Sequence, residues 1–197
     1  YELDPISKKA LISDDTQMTL FTANGILIAD TRISLRGIGG VPHHYIGTSY
    51  QDWLRTQEMT YEESRKRFQK EGREGSSWLL DVPELYSRRA PGNTCLSALR
   101  QQREGKGGSD SLLAHPQNHS KGCGGVMRVA PLALKNYPSL SMKELDREGA
   151  EIAAITHGHS LGYMPAAVLV HLIHRLVYSE GYRTLSEVVL EARDMAA

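Results

Sequence analysis

Three copies of one short pattern constrain the fold of this 197-residue chain more than any other feature. In each copy a threonine or serine precedes a glutamate by three positions, which is the capping-box arrangement that starts an α-helix. The copies are Thr60-x-x-Glu63, Ser141-x-x-Glu144 and Thr184-x-x-Glu187. Elsewhere apolar residues recur at helical spacing, and no stretch shows the period-2 alternation of a half-buried strand. The sequence therefore predicts an all-α domain, with several helices around one core and functional residues on the connecting loops.

Weaker signals place the remaining segments. The predicted helices cover approximately residues 13–29, 50–57, 60–70, 93–103, 141–155, 164–178 and a last one that begins after residue 184. Gly25 is a weak point in the first helix, because glycine destabilises a helix interior. Residues 32–44 are either a loop or a helix that ends at its glycines. Residues 164–178 are apolar nearly all round, which predicts a central buried helix. Residues 105–121 lack apolar periodicity and predict a mobile loop of the kind that often serves as a lid.

The charge balance argues against two classes of partner. Lys+Arg and Asp+Glu each total 23, so the formal net charge is zero. The chain therefore lacks the net positive charge that would attract nucleic acid or an anionic membrane. No apolar run approaches the roughly 20 residues of a membrane-spanning helix. Cys95 and Cys123 form neither a disulfide framework nor a zinc-finger spacing, which favours a cytoplasmic location. The chain opens on Tyr1 and stops at Ala197 within a helix-like pattern, so we expect residues 1–197 to be part of one domain that is truncated at both ends.

The stretch Ser13-Asp14-Asp15 contains the only adjacent pair of aspartates in the sequence. It has two interpretations. Ser13 can be a helix N-cap, followed by two acids that suit the positive end of the helix dipole. Alternatively, the hydroxyl and the two carboxylates supply the oxygen ligands that Mg²⁺ or Mn²⁺ prefers. Consecutive helical side chains point roughly 100° apart, so the two carboxylates can face different ions or bridge them.

A glycine-rich stretch, residues 121–130, places Gly122, Gly124 and Gly125 before an apolar helical segment. It can be a loop whose backbone N–H groups approach an anionic ligand, helped by the following helix N-terminus. It can equally be a turn that permits tight helix packing. Cys123 lies among these glycines, but no base is tied to it in sequence, so we expect a packing or contact residue and not a nucleophile.

Among the histidines, His157 is the best placed to contact a ligand. It lies at the end of the helix that the second capping box starts, where it either interacts with the helix terminus or reaches a ligand. His43 and His44 are adjacent and point apart on a helix, and His171 and His174 have no acidic partner on their own helix. None of these four is therefore predicted to bind a metal.

Four motifs together resemble the ADP-ribosylglycohydrolase family, which includes the dinitrogenase-reductase-activating glycohydrolases. In chain order they are Ser13-Asp14-Asp15-Thr16, Arg89-Ala90-Pro91-Gly92-Asn93-Thr94, the stretch from Lys121 to Pro131, and Thr156-His157-Gly158-His159-Ser160-Leu161-Gly162-Tyr163. Each motif is weak alone, and their common order over residues 13–163 makes the resemblance specific. It implies an orthogonal multi-helix bundle, in agreement with the all-α prediction.

The resemblance also implies an activity and a site. The activity is cleavage of the glycosidic bond between ADP-ribose and a modified side chain, with two Mg²⁺ or Mn²⁺ ions as cofactors and an ADP-ribosylated protein or an ADP-ribose-containing small molecule as substrate. The implied metal site comprises Ser13, Asp14 and Asp15, and either aspartate could bind metal or activate water. The implied diphosphate and ribose contacts are Gly122, Cys123, Gly124 and Gly125, and Thr156-His157 is the implied contact to ADP-ribose. A glycine loop suits a diphosphate, and a metal pair can orient ribose hydroxyls and polarise a water.

The chain departs from the family pattern in two places. The family has a glycine-rich helix ahead of the metal motif, and it closes the metal site with a second motif, Asp-x-Asp followed by Ser or Thr. Neither occurs in this sequence, and we expect the missing ligands to lie outside these 197 residues. The alternative is a non-catalytic ADP-ribose-binding protein or a crystallin-like structural protein of the same fold.

Overall fold

A computed structural model describes residues 3, 8, 10–37, 39–72, 75–105, 111–179, 181 and 183–196, with residues 195 and 196 described by their backbone alone. Within these ranges the α-helices are α1 (Asp14–Arg36), α2 (Pro42–Glu58), α3 (Tyr61–Glu71), α4 (Asn93–Arg103), α5 (Ala130–Ala133), α6 (Met142–Ala154), α7 (Ser160–Tyr178) and α8 (Leu185–Ala196). Short 3₁₀ helices cover Trp78–Asp81, Pro83–Leu85 and Cys123–Arg128. The described residues contain no β-strand, although an isolated antiparallel bridge joins Leu3 to Ala10. The predicted all-α fold class is confirmed.

The three predicted capping boxes are formed and set the starts of α3, α6 and α8. At α3 the N–H of Glu63 donates to the Thr60 hydroxyl over 3.2 Å, and the N–H of Thr60 donates to the Glu63 carboxylate over 2.8 Å. The same reciprocal bonds are made by Ser141 with Glu144 and by Thr184 with Glu187. Each box satisfies two N–H groups that would otherwise have no intrahelical partner.

The first two helices are longer than predicted and cross closely. α1 continues to Arg36 and ends where Gly37 adopts a left-handed φ of 61°, so the helix-ending alternative is correct there and the loop alternative is wrong. α2 begins at Pro42 instead of near residue 50, since proline suits the first helical position. Gly25, predicted to be a weak point, lies at the crossing: a Cβ on it would be 2.7 Å from Cα of Ile46. The absent side chain lets the two backbones approach.

The core lies between two pairs of helices, α1 with α2 and α6 with α7. Phe21, Tyr50 and Trp53 are fully buried within it. The α6–α7 pair also meets at a glycine, because a Cβ on Gly149 would lie 2.8 Å from Cγ2 of Val170. The 3₁₀ helix Cys123–Arg128 contacts α1, α6 and α7. This short segment therefore sits where the two helix pairs come together.

Helix α7 is not the central buried helix that its composition predicts. One face is buried, and its described buried residues are Gly162, Ala166, Ala167, Val170 and His171. The other face is open, with Leu161, Leu176 and Val177 exposed. By length and composition α7 could also cross a membrane, with 28% of the relevant window buried, although core helices of soluble proteins pass the same test. The prediction that no apolar run approaches the length of a membrane-spanning helix is therefore wrong. The absence of a membrane partner stays a prediction.

The predicted mobile loop is in part held against α6. Its residues 106–110 lie outside the described ranges, whereas residues 111–121 make several hydrogen bonds. The buried carboxylate of Glu151 accepts hydrogen bonds from the Ser111 hydroxyl and from two successive backbone N–H groups at 2.8 to 3.2 Å. The Asn118 side chain donates to a carbonyl just beyond α6 over 2.9 Å. This part of the segment is therefore not the free lid that its composition predicts.

Candidate active site

The acidic pair lies at the start of α1, where Ser13 has the extended conformation of an N-cap residue. Its hydroxyl does not cap the helix and instead donates to the Asp15 carboxylate over 3.0 Å. The N–H of Asp14 donates to the carbonyl of Arg89 over 3.1 Å. Ser13 therefore occupies the predicted cap position without the predicted cap bond, and its oxygen is directed to the acidic pair.

Asp14 and Asp15 differ in environment, because Asp14 is only 8% exposed and Asp15 is exposed. Burial and the neighbouring charge of Asp15 raise the pKa of Asp14, while backbone N–H groups, that of Gly92 first, partly oppose the rise. Two close carboxylates in a partly buried position repel each other. A cation bound between them would relieve this repulsion.

The turn at residues 89–94 packs against the acidic pair and carries backbone strain. Ala90 has a φ of 56°, a left-handed conformation that a non-glycine residue adopts at a cost of about 1 kcal/mol or more. Gly92 in the same turn bonds to the Asp14 carboxylate, and Arg89 accepts from the Asp14 backbone. Strained residues cluster at functional sites, where the surrounding structure holds them in place.

The glycine segment forms a 3₁₀ helix, Cys123–Arg128, followed by the single turn of α5. The helix that follows the glycines is thus too short to provide an N-terminal anion site, and the prediction of such a site is wrong. A Cβ on Gly124 would lie 2.8 Å from Cε1 of His157 and 3.1 Å from the Cys95 sulfur, and one on Gly125 would lie 2.7 Å from Cβ of Ala153. At these two positions the glycines allow tight packing, as the second interpretation predicts.

The N-terminal end of the glycine segment is open to solvent. Gly122 and Cys123 are exposed, so their backbone and the cysteine side chain are accessible to a ligand. The assignment of Gly122, Cys123, Gly124 and Gly125 to the diphosphate and ribose stays a prediction.

His157 lies just after α6 and is buried against the glycine segment. Its Nδ1 is 2.8 Å from the hydroxyl of Thr156, and its Nε2 would be 3.2 Å from a Cβ on Gly122 or on Gly124. Burial, followed by the charge of Arg128, lowers the pKa of His157 to about 4. The ring is therefore neutral at physiological pH and faces the glycine segment instead of capping α6.

The four motifs form one connected group of contacts. The Thr19 hydroxyl, one turn into α1, donates to the carbonyl of Asp15 over 2.7 Å and lies 3.2 Å from the carbonyl of Met127. It thereby joins the acidic pair to the glycine segment, which in turn packs on Cys95 and His157. Thr19 was not predicted from sequence, because nothing local distinguishes it from other helical threonines.

The ligand types at the acidic pair suit a hard metal ion, but the number of protein ligands is too small to complete its coordination. Ser13, Asp14 and Asp15 offer oxygen donors, which Mg²⁺ and Mn²⁺ prefer. Within the described ranges no group of three or more His, Cys, Asp or Glu side chains could hold a metal ion. Any ion here would need further ligands, water among them.

His43, His171 and the cavity lie outside this group of contacts. His43 and His171 pair with buried acids, Glu148 and Asp146, each over 2.9 Å, so they join helices as core residues. A cavity of about 1040 Å³ lies on the α2 and α4 side of the molecule, and none of its lining residues is a predicted site residue. We place the candidate site at the connected motifs, because the chemistry-bearing groups converge there and not at the cavity.

Comparison with known proteins identifies the family of the chain. A family model described as ADP-ribosylglycohydrolase matches residues 2–197. A search of curated proteins found no match, and a search of solved structures found none either. Since the family match spans essentially the whole sequence, the chain belongs to the ADP-ribosylglycohydrolase family, the glycohydrolases that act on ADP-ribose linkages.

Proposed function

We propose that the protein is a metal-dependent hydrolase that cleaves the glycosidic bond between ADP-ribose and a modified side chain of a target protein. The observation that carries the proposal is that the acidic pair, the strained turn, the glycine segment and His157 form one connected group of contacts. These groups come from four separate segments of the chain.

Ser13, Asp14 and Asp15 would hold the metal. A bound Mg²⁺ or Mn²⁺ pair supplies Lewis acidity and orients ribose hydroxyls. The chain contributes the buried position of Asp14, whose pKa is raised by burial and by the neighbouring charge of Asp15. Metal binding would therefore remove the repulsion between the Asp14 and Asp15 carboxylates, in addition to supplying oxygen ligands with a cation.

The glycine segment and His157 would hold the ADP-ribose. A neutral histidine ring can donate one hydrogen bond to a phosphate or ribose oxygen. The guanidinium of Arg128 is linked to the ring through the Thr156 hydroxyl, and its partners among the described residues include no carboxylate. Because a positive charge in a low-dielectric interior acts over a longer range than in water, this surface favours an anionic ligand such as a diphosphate.

Hydrolysis of defined substrates tests the proposal. The full chain is incubated with Mg²⁺ or Mn²⁺ and with peptides ADP-ribosylated on arginine or on serine, and released ADP-ribose is measured by chromatography. We expect release that EDTA abolishes and that Asp15→Asn reduces by about a hundredfold or more, whereas the exposed control Asp194→Asn keeps full activity. Release that is equal in Asp15→Asn, Asp14→Asn and the unmodified protein would contradict the proposed site.

The second candidate is a protein of this family that binds ADP-ribose without cleaving it. The incomplete set of metal ligands among the described residues favours this candidate. Calorimetry separates the two, because a binding protein would show ADP-ribose affinity without any release of ADP-ribose from the peptides. A hydrolase must show both.

A further inference from the structure

Arg128 is a buried arginine that was not among the predicted site residues. Its side chain is 0% exposed at the end of the glycine segment. Nη1 lies 3.6 Å from the sulfur of Met18 and 3.7 Å from that of Cys95, and Cζ lies 4.5 Å from the centre of the Tyr50 ring. Such soft partners do not explain a fully buried cation, because a buried charge needs strong hydrogen bonds.

The strong hydrogen bonds are made by Nη2. It donates to the carbonyl of Ile152 over 3.2 Å and to the hydroxyl of Thr156 over 2.7 Å. Arginine can only donate, so the Thr156 oxygen accepts in this bond. The same oxygen lies 2.8 Å from Nδ1 of His157.

These roles determine where the Thr156 proton goes. The described partners of its hydroxyl are Arg128 and His157. If His157 Nδ1 donated to the hydroxyl, the hydroxyl proton would be buried without an acceptor among the described residues, which is unfavourable. If the hydroxyl donates to Nδ1, its proton has an acceptor and its oxygen still accepts from Arg128, and the ring proton is on Nε2.

We infer that Arg128 is a positioning residue that acts through Thr156 to fix His157 in the tautomer with its proton on Nε2. That nitrogen is directed at the glycine segment, since it would lie 3.2 Å from a Cβ on Gly122 or on Gly124. The fixed proton thus points to the surface where a ligand oxygen would be bound. The inference rests on the proposed function only for the identity of that ligand.

The charge of Arg128 has a second effect on the same ring. Together with burial, it lowers the pKa of His157 to about 4. A protonated ring would place a hydrogen on Nδ1 and oppose donation from Thr156. The neutral ring then donates one hydrogen bond, from Nε2, and favours a ligand that places an acceptor atom opposite that nitrogen.

Nuclear magnetic resonance of the ¹⁵N-labelled full chain tests the tautomer without any ligand. Long-range ¹H–¹⁵N correlations distinguish a protonated ring nitrogen from an unprotonated one. We expect Nε2 of His157 to be protonated and Nδ1 to be unprotonated and hydrogen-bonded. Thr156→Ser should preserve both signals, whereas Thr156→Val should move the Nδ1 signal. Thr48→Val is the matched control and should leave the ring signals unchanged, because it removes an exposed helical hydroxyl whose described hydrogen bond goes to the carbonyl of His44 in the preceding turn.

Variants of Arg128 complete the test. Arg128→Lys retains a donor and a charge and should keep the tautomer, whereas Arg128→Met should give a tautomer mixture and move the pKa of His157 towards 6.5. If Arg128→Met does not fold, the Thr156 pair decides the question. A proton on Nδ1 in the unmodified protein, or unchanged ring signals in Thr156→Val, would overturn the inference.

Added ADP-ribose separates this inference from the proposed function. We expect it to shift the Nε2 signal, and we expect Thr156→Val to weaken its binding by about tenfold. An Nε2 signal that ADP-ribose does not move, in a protein whose tautomer is as expected, would refute the proposed ligand contact while leaving the role of Arg128 intact.

Discussion

Replacing Gly25 with alanine should destabilise the protein, although alanine is the better helix former. A Cβ on Gly25 would lie 2.7 Å from Cα, 2.9 Å from Cγ1 and 3.0 Å from N of Ile46. Two of these atoms belong to the backbone of α2 and cannot rotate away. Overpacking of this kind costs about 2 to 3 kcal/mol, and the helix propensity of alanine returns about 1 kcal/mol. We therefore expect a net loss of about 1 to 2 kcal/mol.

Gly47→Ala is the matched control, because Gly47 also lies inside a helix but has room for a methyl group. The atom nearest to a Cβ on Gly47 would be Cδ1 of Ile155, at 4.0 Å. This variant should gain about 0.5 to 1 kcal/mol from propensity alone. Urea unfolding of the two variants and the unmodified protein, with equal slopes, measures the difference. If Gly25→Ala were as stable as Gly47→Ala, the close crossing of α1 and α2 would be refuted.

Three further predictions concern the site and a helix start. Burial and Asp15 raise the pKa of Asp14, so its charge costs stability above that pKa. Asp14→Asn should raise the melting temperature of the metal-free protein at pH 7, and the gain should shrink as the pH falls towards 3.8, the ordinary pKa. Mn²⁺ should raise the melting temperature of the unmodified protein and leave that of Asp14→Asn unchanged. Exposed Cys123 should react with iodoacetamide before buried Cys95 in mass spectrometry, and Cys123→Ser should keep hydrolysis within a hundredfold, as a contact residue would. Ser141→Ala should cost about 1 kcal/mol in urea unfolding, because it removes a capping box, whereas Ser97→Ala at an exposed helical position should cost little.

Local chemistry explains what the sequence predicted well. A capping box involves residues three positions apart, so Thr60, Ser141 and Thr184 could be assigned without knowledge of the fold. The fold class followed from these starts and from helical periodicity. The extent of α1 was underestimated because the glycine-rich residues 32–44 fitted a loop as well as a helix end. The role of Gly25 could not be predicted either, because it depends on Ile46 in another helix.

Sequence motifs identified candidate site residues but not the contacts between them. The acidic pair and His157 were recognised as candidates, but their partners lie far along the chain. Thr19 reaches Met127, 108 positions away, and Arg128 reaches Thr156, 28 positions away. No local pattern carries such pairings. The one available signal was Arg128, which lies in the apolar run after the glycines. A charged side chain there must be either exposed to solvent or hydrogen-bonded in the interior.

The contacts of Arg128 also bear on the order in which the molecule folds. Its partners Met18, Cys95 and Thr156 lie 110, 33 and 28 positions away in the chain. Contacts between such distant segments require loop closure and form late in folding. Backbone amides around Arg128 should therefore exchange with solvent only through global unfolding, at rates equal to those of the slowest core amides. A partly folded chain would lack the surface around His157, so the capacity to bind ligand would arise in the final step of folding.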